Sequence, residues 1–218
     1  MPMRRRQFTL QAAAVLAPAL LGGSVAWAQP ARPREGKDYL VLGKPAPVDA
    51  PAGKIEVIEF FWYSCPHCNA FEPALEAWLK NLPKDVSFKR VPVAFRDDFA
   101  PQQRLFYTLE AMNKVDEYHR KVFQAVHGER QPLNTDDAIL AWAARQGFDM
   151  AKFTETYRSF TVASKLRKAV QLQDAYRVEG VPALGIAGLY YTDGSISGSM
   201  ERALQVTDHL IAEARKPR

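Results

Sequence analysis

Runs of apolar residues and apolar residues at helical spacing follow one another along the chain. Lys54 to Phe61 is rich in Ile, Val and Phe, and predicts a strand buried on both faces, as at the centre of a sheet. Apolar residues then recur at helical spacing until Pro83, and Val86 to Val91 predicts the next strand. Ser64 lies where a helix N-cap is expected, and Pro66 suits the first helical turn, where its missing N–H costs nothing. This part of the pattern predicts a β-α-β unit.

The pattern changes after Phe99 and again after Gly180. The segments between them are typical of amphipathic helices, at Leu105 to Met112, Tyr118 to Val126, Asp136 to Arg145, and a long stretch that ends near Arg177. The other predicted elements are strands at Tyr39 to Leu42, Ala183 to Ala187 and Tyr190 to Thr192, a hairpin turn at Asp193-Gly194, a short strand at Ser195 to Ser197, and a helix at Ala203 to Ala214. This order predicts the α/β class, with a thioredoxin-like domain whose β-α-β and β-β-α halves meet in one sheet and a helical insertion that caps it.

The first 28 residues have the features of a cleavable export signal. Arg4 to Arg6 give a charged start, Leu10 to Leu21 a short apolar stretch, and Ala26-Trp27-Ala28 a small-residue cleavage site. Arg5-Arg6-Gln7-Phe8 also resembles a twin-arginine signal, so export by the Sec or the twin-arginine route is expected. The predicted segments are the signal at 1–28, the first part of the thioredoxin-like domain at 29–98, the helical insertion at 99–177, and the second part of the domain at 178–218.

The charge of the chain removes most of the case for nucleic acid. Its formal net charge is +5, but three of the 29 basic residues and none of the 24 acidic ones lie in the predicted signal. The mature chain therefore carries 26 basic and 24 acidic side chains, a net charge of +2. Nucleic-acid binding calls for a clustered basic face, so no nucleic-acid partner is expected.

Two cysteines, Cys65 and Cys68, flank Pro66 and His67 directly after the predicted central strand, and the chain has no others. A disulfide across two residues closes a very small loop, so it removes little chain entropy and is a poor structural staple. At a strand-to-helix turn the same spacing makes a reactive dithiol, because a helix N-terminus favours a thiolate. The alternatives are an inert disulfide and half of a metal site, and zinc needs more ligands than lie nearby. Export to an oxidising compartment strengthens the redox interpretation.

Four short motifs together resemble the periplasmic thiol:disulfide oxidoreductases of the DsbA type. They are Glu59-Phe60-Phe61, Cys65-Pro66-His67-Cys68, Phe71-Glu72 and Gly180-Val181-Pro182-Ala183, and the resemblance covers essentially the whole mature chain. It implies a catalytic role for Cys65, Pro66, His67 and Cys68, with a low thiol pKa and an oxidising potential. It also implies that Pro182 follows a cis peptide bond opposite the dithiol, and that the Val181 backbone pairs with a substrate strand.

Glu59 is an acid inside an otherwise apolar strand, a costly placement unless the acid has a task or a partner. The resemblance implies that it lies buried behind the dithiol and shuttles a proton for Cys68. We expect Lys89, on the adjacent strand, to be its charge partner and Glu72 to modulate the site further. The aromatic residues Phe60 to Tyr63 are expected to be mostly core, and Trp62 and Tyr63 are also candidates to line an apolar substrate groove beside the dithiol. His119, His127 and His209 lie among charged residues of predicted helices and are expected to be solvated.

These observations predict a periplasmic dithiol oxidase that donates the Cys65–Cys68 disulfide to reduced, unfolded exported proteins. The resemblance implies reoxidation by a quinone-linked inner-membrane partner of the DsbB type, and the disulfide itself serves as the redox group, without a further cofactor or metal. The mature protein is expected to be a monomer. A disulfide isomerase or reductase of the same fold is the first alternative, although isomerases of this group usually carry a dimerisation domain and often have Thr where Val181 stands. An exported metal-handling or chaperone-like dithiol protein is the non-enzymatic alternative.

Overall fold

A five-stranded sheet forms the centre of the molecule. In this computed structural model, which describes residues 32–216, the strands are β1 (Leu40–Val41), β2 (Ile55–Phe61), β3 (Val86–Pro92), β4 (Ala183–Ile186) and β5 (Tyr190–Asp193). They lie in the order β1-β5-β4-β2-β3, with β2 parallel to β3 and the other neighbouring pairs antiparallel. The two halves of the chain therefore meet in one sheet, as the sequence predicts. The predicted export signal at 1–28 lies outside the described residues.

Helices cover the sheet. In the described part of the chain they are α1 (Pro66–Leu79), α2 (Ala100–Ala111), α3 (Val115–Phe123), α4 (Asp136–Arg145), α5 (Met150–Tyr157), α6 (Phe160–Ala175), α7 (Gly194–Ser197) and α8 (Met200–Ala214). A 3₁₀ turn at Asp97–Phe99 leads into α2, and a π-helical turn at Gln124–Gly128 follows α3. Helices α2 to α6 fall inside the predicted insertion, and residues from Pro33 onward form one compact unit. None of the helices described is both long and apolar enough to span a membrane.

Strand β2 lies between β3 and β4 and is buried along six of its seven residues. Val57 packs in a cluster formed with α1 and α8, whereas Phe60 and Phe61 belong to a second cluster that includes residues of the insertion. Complete burial of a phenylalanine side chain contributes roughly 1.5–3 kcal/mol. The continuous apolar run thus produces the doubly covered central strand that the sequence predicts, and it fixes the position of the residues that follow β2.

Three elements of the insertion differ from the sequence prediction. Helix α3 spans Val115–Phe123 where Tyr118 to Val126 is predicted, and the π-helical turn follows it. The long helical stretch that ends near Arg177 is two helices, α5 and α6, because Ser159 caps a new helix with its hydroxyl oxygen, which accepts a hydrogen bond from the backbone N–H of Val162 at 3.2 Å. Helix α2 begins at Ala100, five residues before the predicted Leu105. By contrast, α4 has the predicted bounds, with the Thr135 hydroxyl as its N-cap.

The predicted hairpin turn at Asp193-Gly194 and the strand at Ser195 to Ser197 are wrong. Asp193 instead caps the short helix α7, since its carboxylate accepts a hydrogen bond from the backbone N–H of Ile196 at 2.8 Å. The turn between β4 and β5 lies earlier, at Ala187-Gly188, where both residues have positive φ. A Cβ atom at position 188 would lie 2.6 Å from the Ala46 carbonyl oxygen, so this turn requires glycine.

Candidate active site

The dithiol lies where β2 gives way to α1. Cys65 is the N-cap of α1, and its sulfur accepts a hydrogen bond from the Cys68 backbone N–H at 3.4 Å. The prediction that Ser64 is the N-cap is therefore wrong by one residue. The Ser64 hydroxyl instead accepts a hydrogen bond from the Gln102 side-chain amide at 2.7 Å, which ties the turn to α2. Pro66 occupies the first helical turn as predicted, where it removes no hydrogen bond from the helix.

The two thiols have opposite acidities. A hydrogen bond from the Cys68 side chain is the main cause that lowers the pKa of Cys65 to about 6. Burial opposes this shift. Hydrogen bonds from the backbone N–H groups of Cys68 and His67 reinforce it, as does the charge of His67. Burial raises the pKa of Cys68 far above its ordinary value, and the neighbouring Cys65 and Glu59 add to that effect. Cys68 is fully buried, Cys65 is 7% exposed, and the His67 side chain next to them is exposed. Cys65 is thus the stable thiolate and the accessible sulfur of the pair.

A groove runs beside the dithiol. It has a volume of about 270 Å³ and is lined by His67, Gly180, Val181, Pro182, Asp193, Gly194, Ser195 and Met200. The Val181–Pro182 peptide bond is cis, as predicted. The Cys65 sulfur lies 3.4 Å from the Val181 carbonyl oxygen, to which it donates a hydrogen bond in its protonated form. The loop before β4 therefore places a backbone carbonyl directly against the reactive sulfur.

Glu59 lies behind the dithiol and is fully buried, as predicted, but its charge partner is Arg90. The Arg90 Nε atom lies 3.0 Å from a Glu59 carboxylate oxygen, an ion pair without a well-aligned hydrogen bond. The prediction that Lys89 pairs with Glu59 is wrong. In the parallel β2–β3 register Arg90 stands opposite Glu59, and Lys89 stands opposite Ile58. Neighbouring residues of a strand point to opposite faces, so the Lys89 side chain lies on the other face of the sheet. There its ammonium nitrogen lies 2.9 Å from a carboxylate oxygen of buried Glu56. Burial raises the pKa of Glu59 to about 8, although the charge of Arg90 opposes the shift.

Glu72, on α1, shares Arg90 with Glu59. One of its carboxylate oxygens lies 3.1 Å from Arg90 Nη2, and the other lies 3.1 Å from His119 Nε2. The prediction that His119 is solvated is wrong, because the ring is buried and its Nδ1 atom lies 2.9 Å from the Tyr63 hydroxyl. Burial disfavours ionisation of Glu72, but the hydrogen bond with His119 and the charges of Arg90 and Arg120 outweigh it and lower the pKa of this carboxyl.

The remaining predicted residues lie around this centre. Trp62 is half-buried and stacks on Phe99 with ring centroids 3.9 Å apart, and it is not among the residues that line the groove. His127 is also half-buried, and its Nε2 atom lies 2.8 Å from the Tyr63 carbonyl oxygen. His209 lies on α8, 3.9 Å from Glu213.

The sequence prediction does not include Arg90, and it does not place His119 or Tyr63 in the buried centre behind the dithiol. The signal for Arg90 was the parallel register, since it occupies the position opposite Glu59. The signal for His119 was helical spacing, because it falls on the same stripe of α3 as Val115, Val122 and Phe123. No sequence signal distinguished the hydroxyl of Tyr63 from the other aromatic residues of the segment.

A low-pKa cysteine at a helix N-terminus, a buried second cysteine and a cis-proline loop on a thioredoxin-like sheet define a thiol:disulfide oxidoreductase. Comparison with known proteins gives the family. The model of the DSBA-like thioredoxin domain matches residues 56–203, and the chain belongs to this family.

Individual relatives match this chain over most of their own length. The chain is 43% identical over 195 residues to the thiol:disulfide interchange protein DsbA of Burkholderia cepacia, covering 89% of this chain and 92% of that protein. It is 43% identical over 203 residues to the DsbA of Bordetella pertussis, covering 93% of this chain and 96% of that protein. The crystal structure of Pseudomonas aeruginosa DsbA superposes with a TM-score of 0.78 at 42% identity, covering 83% of this chain and 93% of that one.

Proposed function

We propose that this protein is a dithiol oxidase of the periplasm that donates its Cys65–Cys68 disulfide to reduced, unfolded exported proteins. The observation that carries this proposal is the environment of Cys65, whose pKa is lowered to about 6 by hydrogen bonds at the start of α1. A stabilised thiolate stabilises the reduced dithiol, and a stable reduced form makes the disulfide a strong oxidant. Membership of the DSBA-like family supports the same direction of transfer.

The proposed reaction consists of two thiol–disulfide exchanges. A substrate thiolate attacks the sulfur of Cys65, the Cys65–Cys68 bond breaks, and its electron pair goes to Cys68, which takes up a proton. A second substrate thiolate then attacks the substrate sulfur of the mixed disulfide, and Cys65 leaves as a thiolate. The substrate loses two electrons and gains a disulfide, and the protein gains the two electrons. Cys65 is the attacked sulfur because Cys68 is fully buried.

Glu59 supplies the proton in this scheme. The Cys68 thiolate released in the first step lies in a buried site, where its charged form is strongly disfavoured. Glu59 lies close enough for its charge to act on Cys68, and its raised pKa of about 8 leaves it protonated at neutral pH. A protonated carboxyl at this place is a suitable acid for Cys68, and its carboxylate is a suitable base when the disulfide forms again.

Clients bind at the groove beside the dithiol. The residues that line it include the Val181–Pro182 loop, His67, the start of α7 and Met200. An extended client segment pairs with the Val181 backbone and places apolar side chains in the groove, in the manner of strand addition.

The disulfide is the redox group, and the cycle closes with reoxidation by a quinone-linked inner-membrane oxidase of the DsbB type. We propose that residues 1–28 direct export and are removed, and that the mature protein acts as a monomer. The kinship with proteins named DsbA supports this cycle. A partner that reoxidises Cys65 has to reach the same side of the molecule as the clients, because Cys68 is sealed from solvent.

The test is transfer of one disulfide in a single turnover. Oxidised protein is mixed with an equal amount of a reduced, unfolded protein, the reaction is stopped with acid, and the free thiols are alkylated and counted by mass. We expect one client disulfide for each dithiol formed and no transfer by Cys65→Ser. When Cys68→Ala, with Cys65 held as a mixed disulfide with a small aromatic thiol, is mixed with a client that has a single cysteine, we expect a stable Cys65–client mixed disulfide, because no second thiol is present to release Cys65. Client thiols that persist beside the oxidised wild-type protein would refute the proposed function.

A further inference from the structure

In the described part of the chain, the buried centre behind the dithiol contains two carboxylates and the guanidinium of Arg90. Glu59 and Glu72 are both fully buried, and the side chain of Arg90 is 14% exposed. The contacts to Arg90 run from Nε to Glu59 and from Nη2 to Glu72, so both acids share the same guanidinium. Two buried carboxylates beside one cation favour retention of one proton, because like charges in a shared site raise one of the two pKa values.

The hydrogen bonds around the centre are unequal for the two acids. Glu72 receives bonds from Arg90 at 3.1 Å and from His119 at 3.1 Å, whereas the oxygens of Glu59 make no well-aligned hydrogen bond to any residue that the structure describes. Hydrogen bonds to the charged form favour that form. The hydrogen bonds therefore stabilise the ionised form of Glu72 more than that of Glu59, so Glu59 is the acid that holds the proton.

His119 adds to the difference between the two acids, beside the burial that raises the pKa of Glu59. Its ring is buried beside Arg90. Burial and the charge of Arg90 lower the pKa of this histidine and outweigh the opposing hydrogen bond and charge of Glu72 and the charge of Glu76, so the ring is neutral at pH 7. A neutral imidazole has one N–H. Because an ionised carboxylate only accepts hydrogen bonds, the proton lies on Nε2 and points to Glu72, and Nδ1 accepts the hydrogen bond of the Tyr63 hydroxyl.

We propose that His119 is a positioning residue that assigns the one proton shared by the buried carboxylates to Glu59, by holding Glu72 in its anionic form. The inference rests on the proposed function, in which Glu59 is the acid for Cys68. A cavity of about 260 Å³ borders His119. The charged and titratable groups that face the ring are Glu72 and Glu76 of α1, Arg90 of β3, Tyr63 of the β2–α1 loop, and Asp116 and Arg120 of α3 itself.

The matched variants are His119→Gln and His119→Leu. Gln keeps both hydrogen bonds, with its amide N–H toward Glu72 and its carbonyl toward Tyr63, but it cannot titrate. Leu keeps much of the volume and removes both bonds. His119→Leu takes one of the two donors from Glu72, so we expect the Glu59 midpoint to fall by at least about one pH unit, and His119→Gln to restore the wild-type value. His209→Leu, on α8, is the control for loss of a histidine, because His209 lies 3.9 Å from Glu213 of its own helix.

The first readout is the ¹³C chemical shift of the Glu59 carboxyl group, measured by NMR as a function of pH. The Glu59 signal is assigned as the one that is absent in Glu59→Gln. The second is the pH profile of single-turnover oxidation of a reduced peptide, as the ratio of variant to wild-type rate, which cancels the titration of the peptide thiol. At pH 8 a fall of one pH unit from a midpoint of about 8 reduces the protonated fraction of Glu59 from about one half to about one tenth, so His119→Leu should react about fivefold more slowly. His119→Gln and His209→Leu should stay within about twofold of the wild type.

A measurement on the wild-type protein keeps the inference testable even if His119→Leu does not fold. Long-range ¹H–¹⁵N spectra report the ring tautomer, and the inference requires the Nε2–H form at pH 7. A ring protonated on Nδ1, an unchanged Glu59 midpoint in His119→Leu, or an equal fall in His119→Gln would each overturn it. Failure of the wild-type protein to transfer a disulfide would refute the proposed function instead, and the tautomer and the carboxyl titration would still decide the hydrogen-bond assignment.

Discussion

Replacement of Glu59 by Gln should stabilise the protein at neutral pH, and the gain should grow as the pH rises. Glu59 is fully buried, and its pKa is raised from an ordinary 4.5 to about 8 in the folded state. Between these two values the folded state binds more protons than the unfolded state, so the stability of the wild-type protein falls as the pH rises. Gln has no proton to lose, and Glu59→Gln therefore escapes this loss.

The magnitude follows from the width of the pH window. A group of this kind costs about 1.4 kcal/mol of stability for each pH unit between its unfolded and folded pKa values. From about pH 5 to pH 7.5 the difference in unfolding free energy between Glu59→Gln and wild type should therefore rise by up to about 3 kcal/mol. Below about pH 4.5 both side chains are neutral in both states, and this contribution disappears.

The assay is urea unfolding of the oxidised proteins, in which no thiol titrates, followed by tryptophan fluorescence across this pH range. Glu155→Gln, on the exposed surface of α5, is the control for loss of a carboxylate and should stay within about 0.5 kcal/mol of wild type. A difference between Glu59→Gln and wild type that stays flat from about pH 5 to pH 7.5 would mean that Glu59 is already ionised in the folded protein. That result would refute the idea that it stores a proton for Cys68.

Three further predictions follow from the same residues. As the pH is raised, the thiolate absorbance of the reduced protein at 240 nm should increase with a midpoint near pH 6. His67→Ala should move this midpoint upward, because the His67 charge favours the thiolate. A wild-type midpoint near that of a free cysteine would contradict the assignment of Cys65 as the stable thiolate. Arg90→Met should destabilise the protein by about 3–5 kcal/mol in urea unfolding at pH 7, because the buried Glu72 anion loses the guanidinium that it shares with protonated Glu59. The loss should shrink toward pH 4.5 as Glu72 is protonated. Lys89→Met should cost less than Arg90→Met and leave the disulfide-transfer rate unchanged, since Lys89 pairs with Glu56 and Asp49 on the other face of the sheet; an equal effect in both assays would refute the assignment of partners.

The secondary-structure elements with an uninterrupted apolar run or a clear helix cap could be predicted from the sequence. Strand β2 is an unbroken apolar run between turn residues, and α4 begins at a Thr135 cap and ends at Arg145, so both have nearly the predicted bounds. Asp193-Gly194 could not be resolved in this way, because the same dipeptide favours a hairpin turn and an N-cap. The cap is preferred here, as α7 begins at Gly194 and the chain turns earlier, at Ala187-Gly188.

The dithiol and the buried acid were predictable, whereas the partners of the acid were not. The spacing of Cys65 and Cys68 predicts a reactive dithiol, and the position of Glu59 in an apolar strand predicts a buried acid. Whether Lys89 or Arg90 reaches Glu59 depends on the register of two parallel strands, and a shift of one residue moves a side chain to the opposite face. His119 was missed because its charged neighbours on α3 are exposed, although helical spacing places the ring itself on the buried stripe.

The direction of electron flow is the central claim, and the redox equilibrium of Gln29–Arg218 with glutathione tests it most directly. The ratio of dithiol to disulfide is read by thiol alkylation at pH 7 over a series of glutathione mixtures. The stabilised Cys65 thiolate predicts a potential well above the roughly −270 mV of thioredoxin, so that the protein is reduced by its clients. A potential at or below that of thioredoxin would make the protein a reductant and would contradict disulfide donation.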